Sequence, residues 1–160
     1  MDAFIESHIV PEWDNIDAVR EETAGFLKKK GFPPDVIDAV TMVTGELVEN
    51  AIKYGTYGSS GDLTYSIEAG ESAIIVEVKN PVSAEFDTNL QKLDKTIQWI
   101  RGFQNPFEAY IERLREVSSK SFTDSESGLG LTRIAYEGQS IVDFYATDDD
   151  TISVSAVYQL

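Results

Sequence analysis

The 160-residue chain contains no cysteine and one histidine, His8. Without thiols it can form neither a disulfide framework nor a thiolate metal site, and one imidazole cannot build a histidine-rich one, so a zinc enzyme is excluded. Basic residues are scarce too: 13 Lys and Arg stand against 28 Asp and Glu, a formal net charge of −15. So anionic a surface repels a phosphate backbone and an acidic bilayer, which argues against nucleic acid and against a membrane as partners. It serves solubility, or it complements a basic protein partner. No apolar run approaches the roughly 20 residues that cross a bilayer. The opening residues, MDAFIESHIVPEW, include acidic side chains and no basic segment leading into a long apolar one. The expectation is a cytoplasmic protein. What is present, 42% hydrophobic and 26% charged residues without low-complexity tracts or repeats, suits one folded domain over 1–160.

Residues 3 to 10 read as a short strand, and Asp14 or Asn15 can cap a helix that runs to about Lys30 and stops at Gly31. After Pro33-Pro34, the apolar positions Val36, Val40, Val43, Leu47 and Ala51 recur at three- and four-residue steps. That spacing is a helix with one buried face, ended by Gly55 and Gly58. The stretches 63–68 and 73–78 flank Ala69-Gly70-Glu71 as a hairpin, with Asn80-Pro81 closing its second strand. From Ser83 to Glu126 two more amphipathic helices are expected, one bearing Leu90, Leu93, Ile97 and Ile100, the other Phe107, Tyr110, Ile111, Leu114 and Val117. Gly128-Leu129-Gly130 then leads into a short helix ending near Gly138, and strands 140–147 and 151–158 flank an acidic turn. Helices and hairpins in this order predict an α+β, two-layer sandwich: a mixed, mostly antiparallel sheet with helices on one face.

Two features carry chemistry. At about 100° per helical residue, Glu46, Asn50 and Lys53 share one strip beside the apolar stripe. Glu49 is assigned to the opposite, solvated side. A carboxylate, an amide and an ammonium beside a core are costly without partners, so the strip is either a ligand site or an ordinary solvated face. The second feature is Ser127-Gly128-Leu129-Gly130-Leu131, whose glycines precede a helix start with unpaired N–H groups. It is a phosphate cradle or a tight loop-to-helix entry.

Taken together and in order, E-x-x-x-N-x-x-K on a helix, a hairpin, a helical insert, G-L-G-L at a helix start and two closing strands resemble the GHKL (Bergerat-fold) ATPase and kinase superfamily from about residue 35 onward. The small size and the tail from Gly128 are similar to bacterial anti-sigma-factor serine/threonine kinases. By that resemblance Glu46 is the general base, Asn50 the Mg²⁺ ligand, and Lys53, Tyr54, Asn80, Gly128, Leu129, Gly130 and Leu131 line an ATP site. The implied cofactors are ATP and Mg²⁺. The implied partner is a sigma factor, an anti-anti-sigma (STAS-type) protein or a similar regulator, and a homodimer is a possible arrangement.

The chain departs from the family pattern at one box. Where the family places D-x-G-x-G, this sequence has Asn80-Pro81-Val82-Ser83. Asn80 keeps an acceptor carbonyl and loses the charge, and both glycines are replaced. A module that binds a protein without nucleotide or catalysis is the alternative this departure favours. The 83–126 insert reads as core cover or as a lid and docking surface.

Overall fold

The computed structural model describes residues 3–55, 57, 63–82, 94–100, 111–112, 129–146 and 151–160. The element order is β1 (Ala3–Ile9), α1 (Ile16–Lys29), α2 (Pro34–Tyr54), β2 (Leu63–Ala69), β3 (Ala73–Pro81), α3 (Leu129–Tyr136), β4 (Ser140–Ala146) and β5 (Thr151–Gln159), with a 3₁₀ turn at Trp13–Asn15 before α1. The strands form one sheet in the order β1-β2-β3-β5-β4, and every pairing in it is antiparallel. The expected α+β sandwich is present, and among the described residues its sheet is wholly antiparallel.

Local chemistry sets the boundaries. Helix α1 ends in a Schellman motif. Gly31 takes φ +84°, its N–H reaches the Lys28 carbonyl at 3.1 Å, and the Phe32 N–H reaches the Leu27 carbonyl at 3.2 Å. Its start is less conventional, because Asn15 occupies the N-cap position but donates its amide to the Val10 carbonyl at 2.9 Å instead of capping. Extended Pro33 and helical Pro34 open α2, since a proline at the first helical position gives up an N–H that would be unpaired anyway. Buried Thr23 and Thr44 satisfy their hydroxyls on the carbonyls of Val19 and Val40.

Strand register places Leu63, Tyr65, Ile67 and Ala69 of β2 on the same face as Ile74, Val76 and Val78 of β3 and Ala156 and Tyr158 of β5. Against that face pack Val40, Val43, Leu47, Val48 and Ala51 of α2, Val19 and Leu27 of α1, and Leu131 and Ile134 of α3. Residues 94–100 are helical, and Ile97 joins the same core. For this part of the insert the core-cover reading therefore holds; Leu90, Leu93, Phe107, Tyr110, Leu114 and Val117 lie outside the described residues. The opposite sheet face carries Phe4, Ile75 and Ile141 exposed. Among the described residues no helix is long and apolar enough to cross a membrane.

Register makes a sharp prediction for two adjacent isoleucines. Ile74 is wholly buried whereas Ile75 is 38% exposed. Ile74→Ala should cost about 2–5 kcal/mol in a urea titration, as deletion of buried methyls with a residual cavity does. Ile75→Ala should cost roughly 1 kcal/mol or less, mainly lost strand preference. Equal losses would show that the register is wrong.

Candidate functional site at the seam of α2 and α3

Helix α3 is pinned by its own pattern of burial. Leu131, Thr132, Ile134 and Ala135 are buried, so Arg133 alone among residues 131–135 faces outward. Just beyond the helix, Gly138 lets the chain press on α2: a Cβ there would stand 2.4 Å from the Val43 methyl and 2.5 Å from the Ile134 carbonyl oxygen. This close approach puts Arg133 opposite the turn of α2 that follows Val43. Its Nη1 donates to Glu46 Oε1 at 3.0 Å, and its Nε to Glu137 Oε2 at 2.7 Å. Glu46 is 12% exposed at the side chain.

A second arginine reaches the same helix from α1. Arg20 Nη2 donates to Glu49 Oε1 at 3.2 Å. Gly45 makes room for it, because a Cβ at that position would lie 2.6 Å from Arg20 Nε. Glu49 is thus not the solvated residue on the far side of α2 that the sequence suggested. Three helical residues sweep about 300°, which leaves Glu49 only about 60° from Glu46. The two carboxylates are neighbours, each held by its own arginine.

Burial pushes the Glu46 carboxyl above its ordinary value and the adjacent Glu49 charge pushes it further; Arg133 and Arg20 oppose both. A carboxylate left between two arginines and a second carboxylate is a group whose protonation the surroundings control.

The remaining sequence candidates fall into place unevenly. Asn50 lies one turn beyond Glu46 on α2, at the rim between core and solvent. Lys53 sits with its ammonium 5.8 Å from the Trp13 ring centroid, a cation–π distance. Tyr54 is the last residue of α2. Asn80 is the penultimate residue of β3, which Asn80-Pro81 closes as expected, and it stands opposite Ile152 on the core face. It is 3% exposed, and its amide donates to the Pro81 carbonyl at 3.1 Å. Leu129 and Gly130 form the first turn of α3, and the Leu131 side chain belongs to the core, leaving its backbone as the part that could meet a ligand. Gly128 lies outside the described residues. Arg133 and Arg20 were not legible as site residues, because each meets its carboxylate across a long sequence gap. The one available signal was that Arg133 follows Gly130 by three residues at the start of α3.

The sequence pattern of the histidine kinase-like ATPase domain matches residues 9–136, well over half of the chain. The chain belongs to that family. The match takes in α1, α2, the β2–β3 hairpin and α3, so the seam described above lies within the histidine kinase-like ATPase domain. Domains of this kind bind ATP, and an ATP-binding regulatory role is what membership gives this chain. No curated protein is similar enough to it to count as a relative.

A histidine kinase-like domain with so constrained a glutamate should show it in its pH dependence. A carboxyl whose pKa is raised by folding contributes stability below its unfolded value, near 4.5, and loses it as pH rises through the higher folded value. Glu46→Gln removes the ionisation. Its stability relative to the unaltered protein should therefore grow as pH rises upward from about 4.5. Thermal unfolding at a series of pH values measures this, and a flat difference would mean that Glu46 is not strained by its surroundings.

Proposed function

We propose that the chain is an ATP-dependent regulator of the anti-sigma-factor serine/threonine kinase type, transferring the γ-phosphoryl group of ATP to a hydroxyl of a protein partner. The carrying observation is Glu46, a nearly buried carboxylate held at the α2–α3 seam by Arg133, with the amide of Asn50 one turn away. A general base has to be ionised and aimed at the proton it takes, and this carboxylate is fixed by a directed, charge-assisted hydrogen bond. In the transfer, the partner's hydroxyl oxygen forms a bond to the γ-phosphorus while the bond to ADP breaks. ADP leaves with the electron pair and Glu46 receives the hydroxyl proton.

The residues fit the cofactors. Among the described residues no group of three or more His, Asp or Glu side chains could hold a metal alone. Mg²⁺ would arrive on the nucleotide phosphates and take one protein oxygen, for which the Asn50 amide is the candidate. When bound, the ion would neutralise phosphate charge. The first turn of α3, from Leu129 to Leu131, offers backbone N–H groups to the same phosphates. Asn80 stands at the adenine end as a neutral acceptor. Protein partners remain of the kind the resemblance implies: a sigma factor, a STAS-type protein or a similar regulator. The replaced glycines and Pro81 favour a second reading, an interaction module that binds its partner without nucleotide.

Basal Mg²⁺-ATP hydrolysis, in which water takes the place of the protein hydroxyl, separates the two readings. Glu46→Gln should abolish phosphate release while ATP still binds, and Asn50→Ala should weaken Mg²⁺-dependent binding as well. Absence of both binding and hydrolysis at millimolar ATP selects the nucleotide-free module. Asn80→Asp should tighten ATP several-fold, because a charge-assisted hydrogen bond is about twice as strong as a neutral one. In the absence of nucleotide the same variant should unfold more easily by about 1–3 kcal/mol, since it buries a carboxylate and removes the donor to the Pro81 carbonyl.

A further inference from the structure

Three charged side chains act on Glu46: Glu49 on α2 itself, Arg133 from α3 and Arg20 from α1; Arg20 also pairs with Glu49, and Glu137, just past α3, pairs with Arg133. They form two arms that differ in kind. The Arg20 arm ends on Glu49 and does not bond Glu46. The Arg133 arm bonds Glu46 directly, and its second bond, to Glu137, fixes the guanidinium on its own helix with Nη1 turned to α2. Because the flanking residues of α3 are buried, that helix cannot rotate without tearing the core. The guanidinium is therefore carried on a rigid mount, aimed at one oxygen of one carboxylate.

We propose that Arg133 is the positioning residue for Glu46, fixing the orientation of its carboxylate across the seam so that one oxygen is committed to the guanidinium and the other is left for the substrate proton. The inference rests on the reading of Glu46 as the general base. It assigns to α3 a task beyond presenting backbone N–H groups to phosphate. Arg133 touches no reacting atom: it acts through Glu46. The planar guanidinium matters, because its Nε–H and Nη1–H donors point out from different edges of one rigid plane and can serve Glu137 and Glu46 at once. An ammonium at the same place serves them as a point charge, with less control of direction.

The experiment compares Arg133→Met and Arg133→Lys with the unaltered protein, using Mg²⁺-ATP as the probe. Arg133 is 45% exposed, and both replacements keep an unbranched chain, so folding should survive. Two quantities are read: basal ATP hydrolysis, resolved into kcat and KM, and titration of the Glu46 carboxyl followed by carbon-13 resonance. For Arg133→Met, kcat should fall roughly tenfold to a hundredfold, part of the usual worth of a placed general base. KM for ATP should stay within about threefold, since uniform binding is untouched. The Glu46 titration midpoint should rise, the opposing cation having gone, while burial and Glu49 remain. Arg133→Lys should restore the midpoint in part and kcat less. An unmoved midpoint overturns the inference, even if Glu46→Gln proves inactive and the kinase reading stands. A raised midpoint with unchanged kcat overturns it as well, because then the orientation of Glu46 does not depend on Arg133. Hydrolysis that survives Glu46→Gln removes the base itself and takes the inference with it, whatever the resonance shows.

Discussion

Helix α2 has to bury Val36, Val40, Val43, Leu47, Val48 and Ala51 while lying across a sheet whose facing strands are almost entirely apolar. With each fully buried aliphatic side chain worth about 1.5–3 kcal/mol relative to exposure, no rotation of the helix that lifts this stripe from the sheet is tolerable. The polar residues interleaved with the stripe are thereby placed without freedom of their own. Glu46 and Asn50 come to rest at the rim of the core, where the helix turns from sheet to solvent. The site is a by-product of where hydrophobic burial stops.

Charge at that rim requires partners, and the neighbouring helices supply them. Both arginines reach α2 past a glycine: Arg20 lies over Gly45 within α2, and Arg133 precedes the Gly138 contact with Val43. Small residues here set the interhelical distance, and the distance sets which charges can pair. The pairs are partly exposed and so each contributes modestly to stability, on the order of 1 kcal/mol or less. Their consequence is directional: they decide which carboxylate oxygen is engaged, and they oppose the upward push that burial and Glu49 exert on the Glu46 carboxyl.

Much of the fold was legible in the sequence because it follows from local rules. Pro33-Pro34, the three- and four-residue apolar steps and the hairpin punctuation locate α2, β2 and β3 to within a few residues, and alternation predicts which strand face is buried. The resemblance carried the family, which the match over residues 9–136 shows. Legibility failed where the third dimension intervened. Asn80-Pro81 does close β3, as expected, but Asn80 is still paired within the strand and buried on its core face, which punctuation alone does not reveal. Glu49 was assigned to bulk solvent, whereas it flanks Glu46 and meets an arginine 29 residues away. The partner of Glu46 is 87 residues away. No periodicity encodes such pairings, which exist only once α1 and α3 have docked on α2.

The account stands on ATP occupying the seam between α2 and the first turn of α3. Amide and side-chain resonances recorded during a titration with Mg²⁺-ATP test this most directly, because they report location independently of any catalysis. Shifts should concentrate at Glu46, Asn50, Asn80, Leu129, Gly130 and Arg133, with the open sheet face at Phe4, Ile75 and Ile141 unmoved. A shift pattern centred on that open face, or none at millimolar nucleotide, would contradict it.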